Sequence, residues 1–336
     1  MMSQVNGLLL IDKPAGLTSF DVVRRVRKAL KVRKVGHLGT LDPFATGLLP
    51  LALGEATKLA QFLLEESKTY LAVLQLGEET DTQDLTGRIT GRWEALPTPE
   101  EVRRAAGDFV GEIEQVPPMY SAVHHQGERL YRLARRGEEV TAPPRKVVVY
   151  RLEVQDINLP QVTVLVECSK GTYVRTLAHD LGRALGCGAH LTGLTRLGVG
   201  LFRLEEAWPL EDIEKPENLA QIRRRLIPLA DCLPCLTAVH VDRTQAQRLA
   251  QGQTLPWPGQ VPTQGERVRV VAEGGLMAVA ALRHQGEHQV LAPLRVFKHT
   301  HLWEDRAGHR SGPAAHVNPQ AGACATTGKA KQKADQ

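Results

Sequence analysis

The sequence predicts an α+β chain with a small β-rich unit at its far end. Two observations carry that expectation. Strand-length apolar runs at Leu8–Ile11, Tyr70–Leu76, Val147–Tyr150 and Val162–Val166 are interspersed with stretches of helical spacing. From about Thr237 to Phe297 the pattern changes to one short helix followed by alternating strands. The length of 336 residues suggests about two domains at ~150 residues each. A composition of 42% hydrophobic and 24% charged residues excludes collagen-like, mucin-like and fully disordered chains. Aromatic residues are only 4%, so the core must be built from Leu, Val, Ala and Ile.

In chain order, Leu8-Leu9-Leu10-Ile11 reads as a strand stopped by the turn residues Asp12-Lys13-Pro14-Ala15-Gly16. Thr18-Ser19-Phe20-Asp21 has the pattern of a capping box with Asp in place of Glu. Val22, Val26 and Ala29/Leu30 follow as the buried stripe of a helix. Its other faces and the residues just after it carry Arg24, Arg25, Arg27, Lys28, Lys31, Arg33 and Lys34, seven bases in eleven positions with no acid among them. Such a run is either a solvated face or a phosphate contact, and its density favours phosphate. Gly36 to Gly54 is a loop rich in Gly, Pro and Leu leading into an apolar stretch, and Gly54–Lys58 enters a helix through Leu64. Tyr70–Leu76 is a strand and Gly77–Asp84 a turn-rich loop. Thr98 caps a helix that Pro99 opens and that runs to about Asp108.

Pro117 to Lys146 holds Tyr120, Tyr131, His124, His125 and the bases Arg129, Arg132, Arg135, Arg136, Arg145 and Lys146, with few large aliphatic residues. It is expected to be a protruding basic arm rather than a core element. Thr172 to Leu185 is helical, with Leu177, Leu181 and Leu185 on one stripe. Residues 211 to 236 read as a linker ending near Pro234. In the end unit a helix at 244–250 is stopped by Gly252, and the strands at 267–271 and 276–282 are joined by a Glu273-Gly274-Gly275 turn. Residues after Phe297 are poor in large apolar side chains and are expected to be disordered, with solvated histidines at 299, 301, 309 and 316.

Several function classes fail. The chain start lacks a basic n-region, and no apolar run reaches the ~18 residues of a membrane span. Five cysteines (168, 187, 232, 235 and 324) are too few and too scattered for a disulfide framework, so a reduced, cytoplasmic protein is expected. The phosphate-binding and dinucleotide-binding glycine motifs are both missing. Cys232-Leu233-Pro234-Cys235 is a lone pair, read as two buried thiols rather than a metal site. No cofactor and no metal are expected.

Gly36-His37-Leu38-Gly39-Thr40-Leu41-Asp42-Pro43-Phe44-Ala45-Thr46-Gly47 holds one carboxylate in a turn setting. By itself Asp42-Pro43 is an ordinary turn or helix-start pair, and His37 an ordinary loop histidine. Ser169–Thr176 leaves a strand and enters a helix, which can place Tyr173 and Arg175 at a sheet edge. Lys68-Thr69-Tyr70 puts a second tyrosine at a strand start. In order along the chain come Asp12-Lys13-Pro14, Gly36–Gly47, Gly54–Lys58, Tyr70, Thr80-Asp81-Thr82 with Asp84 and Gly87, Met119-Tyr120-Ser121-Ala122, Cys168–Thr176 and Gly186–Leu191. Together these segments resemble the TruB-type tRNA pseudouridine synthases, and the resemblance spans roughly residues 7 to 297.

The resemblance implies a mixed, largely antiparallel sheet flanked by helices over residues 1–236, with the RNA-binding arm at 117–146. A PUA-like RNA-binding domain is implied at 237–297, leaving 298–336 as the tail. It implies that uridine 55 in the T arm of tRNA is flipped out and isomerised; the presence of the 117–146 arm argues against a guide RNA, and a monomer is expected. Asp42 matches the nucleophile and Arg175 its partner. Tyr70 matches the tyrosine that stacks on the uracil and is a candidate acceptor of its C5 proton. Tyr173 and Leu194 match pocket walls, and His37 the residue that fills the gap left by the flipped base. Arg24, Arg27, Lys28, Arg129, Arg132 and Arg135 are the candidate RNA-backbone contacts. Departures are Thr69, where relatives often carry Arg, and Thr195-Arg196 in place of an Arg-Arg pair; both are expected to weaken a backbone contact. An Arg partner is expected to depress the Asp42 pKa. Addition to C1′, addition to C6 and removal of the 2′ proton all remain open as roles for the carboxylate. The alternatives are a non-catalytic tRNA-binding or tRNA-folding chaperone, which need not keep Asp42, Tyr70 and Arg175, and a guide-RNA-dependent synthase subunit, which would lack the 117–146 arm.

Overall fold

A computed structural model describes residues 5–297 except 122, 126, 139, 141, 258–265, 274, 286 and 287. Two compact units divide at Cys232/Leu233. The first begins with strand β1 (Gly7–Lys13), helix α1 (Ser19–Leu30), β2 (Val35–His37) and β3 (Thr46–Leu53). Then come α2 (Ala60–Leu63), β4 (Lys68–Leu76), β5 (Glu78–Thr80), β6 (Ile89–Arg92), α3 (Pro99–Asp108) and β7 (Gly111–Gln115). The arm contributes β8 (His124–His125), β9 (Glu128–Arg129) and α4 (Leu130–Arg135). The unit closes with β10 (Arg145–Asn158), β11 (Gln161–Cys168), α5 (Val174–Ala184), β12 (Ala189–Val199), β13 (Phe202–Arg203), β14 (Trp208–Pro209), α6 (Leu210–Ile213) and α7 (Leu219–Arg224).

The main sheet runs β14-β1-β3-β12-β4-β11-β10-β7, with β2 on β3 and β13 on β12. It is mixed: β1–β14 and β3–β12 pair in parallel and the other pairs are antiparallel. The parallel β3–β12 contact is short, only Thr46 opposite Thr195 and Gly47 opposite Arg196, with the two threonine hydroxyls 2.9 Å apart. Gly47 is required there. Its φ is +95°, and a Cβ would run into the Arg196 backbone, 2.8 Å from its nitrogen and closer still to its carbonyl.

Local signals explain the helices. Thr18 accepts from the Asp21 amide at 3.1 Å while Asp21 accepts from the Thr18 amide at 3.0 Å, so the capping box with Asp is real. Thr98 and Glu101 make a second box at the start of α3. One apolar cluster joins Val22, Val26 and Leu30 of α1, Leu177 and Leu181 of α5, and the inward residues of β1, β3, β4, β11 and β12.

Three readings of the sequence are corrected. Residues 211–236 are not a plain linker: Leu210, Ile213 and Ile222 enter the main core, and Leu8 and Ile227 exchange backbone hydrogen bonds at 2.9 Å. The loop after β4 holds the hairpin of β5 and β6. The arm has a core of its own, in which Val123, Leu130, Leu133 and Ala142 pack with Met119, Val140 and Tyr173.

The second unit holds β15 (Thr237–His240), α8 (Arg243–Ala250), β16 (Leu255–Pro256), β17 (Arg267–Ala272), β18 (Gly275–Gln285) and β19 (His288–Val296). Its five strands pair in the order β15-β17-β18-β19-β16. Val239, Leu249, Val268, Val270, Ala280 and Leu291 form its centre. Gly274 of the expected turn lies outside the described residues, as does the expected tail from 298 on with its histidines. Among the described residues no helix is long and apolar enough to cross a membrane.

Candidate active site

Asp42 sits in the loop between β2 and β3. Asp42 and Pro43 take the first two positions of a turn closed by the Ala45 amide donating to the Asp42 carbonyl at 3.1 Å, where Asp and Pro are both favoured. The start of α1 pins this loop: the Leu41 amide donates to Ser19 Oγ at 2.9 Å. The Pro43 carbonyl accepts from the Gly16 amide at 2.8 Å and from Lys13 Nζ at 3.2 Å. Lys13 is wholly buried and also donates to the carbonyls of Pro14 and Leu17. Burial brings its pKa down to about 8, against the pull of the Asp42 charge and helped by Arg196.

Arg175, in the first turn of α5, is buried and gathers three segments. Its Nε lies 2.9 Å from Asp42 Oδ2, an ion-pair contact not aimed as a hydrogen bond, while Nη2 donates to Oδ1 at 3.3 Å. Nη2 also donates to the Tyr120 carbonyl at 2.9 Å, and Nη1 to the Thr82 carbonyl at 3.0 Å. Asp84 Oδ2 stands 3.5 Å from Nη1. Asp84 is itself held by the Thr82 hydroxyl at 2.8 Å and the Thr86 amide at 2.9 Å. The guanidinium is therefore fixed before any substrate arrives.

The expected depression of the Asp42 pKa is overturned. Burial raises it and outweighs the favourable charge and hydrogen bond of Arg175, with the Asp84 charge pushing the same way as burial. The carboxyl of Asp42 therefore sits above the ordinary Asp range, a poised group rather than an inert one.

Tyr70, Ala72 and Leu74 point from β4 to the core face. Across the antiparallel pairing Leu194 lies opposite Ala72 and Arg196 opposite Tyr70, so all four share one face. Leu194 is buried and Tyr70 half-buried. Burial raises the Tyr70 pKa; the Arg196 charge works against that, and Asp42 and Cys168 work with it. Tyr173 immediately precedes α5, its amide donating to Gln115 Oε1 at 3.0 Å and its carbonyl accepting from Gln115 Nε2 at 3.2 Å. His37 ends β2, and its pKa is lowered by burial and then by Arg196, so its imidazole is neutral at pH 7. Its Nδ1 is buried without a partner.

Asp42 and Arg175 are thus in direct contact, with Tyr70 close enough to feel the Asp42 charge. The candidate RNA-backbone residues divide. Arg27 and Lys28 are exposed on α1. Arg24 is exposed but paired with Asp21 at 2.6 Å, and Arg25 lies 3.9 Å from Glu214. Arg132 is exposed, while the side chains of Arg129 and Arg135 lie outside the described residues, as does Ala122 of the Met119–Ala122 segment. Thr69 is half-buried beside Tyr70 in β4. Cys232 is buried and Cys235 exposed, which corrects the expected pair of buried thiols. Among the described residues no group of three or more His, Cys, Asp or Glu could hold a metal ion.

Sequence reasoning gave no role to Lys13, Asp84 or Gln115, and placed Arg196 in a pair expected to weaken an RNA-backbone contact. Arg196 is 1% exposed, not a surface contact to the RNA backbone, and donates to the carbonyls of Leu48 at 2.7 Å and Gly39 at 3.2 Å. The signal that could have found it is the period of two in Leu194-Thr195-Arg196, which sets Arg196 on the face of the buried Leu194.

Comparison with known proteins gives the class. Residues 27–174 match the family model described as TruB family pseudouridylate synthase (N terminal domain), 175–233 the tRNA pseudouridylate synthase B C-terminal domain, and 237–297 the C-terminal domain of pseudouridine synthase II TruB. This is a pseudouridine synthase, an isomerase. The proteins named tRNA pseudouridine synthase B from Geobacter sulfurreducens, Thiobacillus denitrificans and Syntrophomonas wolfei are 45%, 49% and 42% identical to it. These alignments cover 82%, 75% and 88% of this chain and 93%, 84% and 99% of the relatives. The chain belongs to the TruB family. Among solved structures it is similar to an H/ACA ribonucleoprotein bound to a substrate RNA containing 2′-deoxyuridine, with TM-score 0.68 and 26% identity. A Cbf5–Nop10–Gar1 complex gives 0.69 and 27%; each covers 87% of this chain and 85% of the other.

Proposed function

We propose that this protein isomerises uridine 55 in the T arm of tRNA to pseudouridine, as a cytoplasmic monomer working without guide RNA. The observation that carries the reading is the Asp42–Arg175 contact at 2.9 Å, with Tyr70 near enough to feel the Asp42 charge and Leu194 on the same strand face as Tyr70. The reaction breaks the N-glycosidic bond and rejoins the base through C5, with no net redox change and no group donor, so its chemistry asks for no cofactor.

The target base leaves its stack at a cost of a few kcal/mol. Stacking on Tyr70, with Tyr173 and Leu194 as walls, offsets part of it at about 1–3 kcal/mol per base. His37, neutral and with a free ring nitrogen, fills the vacated place in the RNA. Ionised Asp42 is the group that acts, and its three possible targets, C1′, C6 and the 2′ proton, share that requirement. Arg175 holds the carboxylate and opposes protonation. Tyr70 takes the proton from C5. Arg24, Arg27, Lys28, Arg129, Arg132 and Arg135 contact phosphates and set affinity rather than sequence. The PUA-like unit at 237–297 adds RNA contacts.

The arm at 117–146 supports a stand-alone enzyme, because it ties into the site through the Tyr120 carbonyl on Arg175 and Tyr173 in its apolar cluster. The test is purified protein on an unmodified tRNA transcript with no guide RNA, followed by mapping of pseudouridine. One modified position in the T arm is expected. Modification elsewhere, or only with added guide RNA, refutes the reading.

A further inference from the structure

Arg196 is the largest fully buried side chain of the described residues. A buried cation is costly and usually faces a carboxylate. Arg196 faces none among the described residues: its hydrogen bonds go to the carbonyls of Leu48 and Gly39, which flank the Asp42 loop on either side. The two carbonyls orient the guanidinium without neutralising it. Antiparallel pairing sets Tyr70 directly opposite on the same face.

The charged or titratable groups that bear on the Tyr70 hydroxyl come from three elements: Arg196 on β12, Asp42 from the β2–β3 loop and Cys168 on β11. Asp42 and Cys168 disfavour a phenolate when charged, and so does burial. Arg196 alone favours it. Arg175, the other buried guanidinium of the site, is committed to Asp42, Asp84 and two carbonyls.

We infer that Arg196 is a positioning residue for the last proton transfer, its unneutralised charge stabilising the Tyr70 phenolate that removes the C5 proton from the re-attached base. In that step the C5–H bond breaks, the proton goes to the phenolate oxygen, the C–H electron pair closes the C5=C6 double bond, and the C6=N1 π pair moves onto N1, which takes a proton from solvent. N1 carries a proton in the product, so the net change is hydrogen moved from C5 to N1, and the phenol returns its proton to solvent. The inference rests on Tyr70 being the C5-proton acceptor.

The alternative is that Arg196 only clamps the Asp42 loop. The two roles act on different steps, so the test compares them in single turnover. Tritium release from tRNA labelled at C5 of the target uridine reports the last step. Conversion of the same RNA carrying 5-fluorouridine at that position, which has no C5 proton to lose, reports the steps before it. In Arg196→Gln, tritium release should fall at least tenfold more than fluorouridine conversion. Arg196→Lys, which keeps the charge, should hold tritium release within about threefold of the parent with an unchanged pH profile. Equal losses in both assays for Arg196→Gln, or no loss, overturn the inference. If Arg196→Gln does not fold, Arg196→Lys decides alone: tritium release lost tenfold more than fluorouridine conversion overturns it. A parent enzyme inactive on tRNA, or Tyr70→Phe with undiminished tritium release, instead defeats the underlying reading.

Discussion

Asp42 is pulled two ways: the proposed reaction needs its charged form, and burial makes that form expensive. The sign of its shift has two consequences. With the folded-state pKa raised above the unfolded value of about 3.9, the native state binds more protons between the two values, so stability falls as pH rises through that window. Asp42→Asn removes the cost of burying a charge, so at pH 7.5 it should melt no lower than the parent, with any gain vanishing below about pH 3.9. The same variant should form no pseudouridine while its tRNA affinity stays within a few-fold, since the carboxylate is small beside the stacking pocket. Scanning calorimetry and a binding assay on the one preparation check both halves; a lower Tm at pH 7.5 would reverse the assigned sign. Tyr70 allows a second separation. Tyr70→Phe keeps the ring and most of the ~1–3 kcal/mol of stacking, whereas Tyr70→Leu loses ring and hydroxyl. Loss of a general base costs about 10²–10⁴ in rate, so Tyr70→Phe should bind tRNA normally and turn over at least about a hundredfold more slowly. If it keeps more than about a tenth of the rate while the Leu variant is dead, the ring alone matters.

At the level of elements, the clearest sequence signals were local ones. Thr98 and Pro99 specify the start of α3, to which the structure adds the Glu101 half of a capping box, and the alternation at 267–271 specifies β17. Elements built from few and polar residues escaped: α6 and α7 are short, and only their places in the fold turn Leu210, Ile213 and Ile222 into core. Within the site, Asp42, Tyr70 and Arg175 could be matched from motif order, and the structure brings Asp42 and Arg175 into contact. The burial of Lys13 could not, because a charged side chain gives no local sign of how deeply tertiary packing will take it; that of Arg196 showed only in the period of two it shares with Leu194. Gly47 was legible only as part of a glycine-rich stretch, yet the fold gives it a definite job. Gly47→Ala demands a φ of +95° from an L side chain and drives its Cβ into the Arg196 backbone. It should cost about 2 kcal/mol or more and lower activity with stability. Thr98→Ala, losing only a helix cap, should cost about 1 kcal/mol and leave turnover unchanged. Denaturant melts and turnover rates of the two variants side by side separate the cases, and a Gly47→Ala protein as stable as the parent would show that β3 can move away from β12.

On the scale of the molecule, a net charge of +5 says little until its distribution is known. Arg24 and Arg25 have acidic neighbours in Asp21 and Glu214, whereas Arg27 and Lys28 are exposed on the same helix. Replacing Arg27 and Lys28 together by Ala should lower the salt dependence of tRNA binding by about two units of slope, one for each phosphate no longer neutralised. Arg24→Ala should change it less, and a titration of binding against salt concentration checks the order. The short parallel seam between β3 and β12 bears on the whole molecule in another way. Mechanically, the main sheet is two panels joined by a hem of two residue pairs and the Arg196 side chain on the Leu48 carbonyl. β1 and β3 lie in one panel, with the Asp42 loop leading into β3; Tyr70, Leu194 and Arg196 are mounted on the other. A slight fold along the hem would alter the spacing between Asp42 and Tyr70 while leaving each panel intact. Changes at the Thr46–Thr195 stitch should therefore blunt catalysis at temperatures where the rest of the sheet still holds.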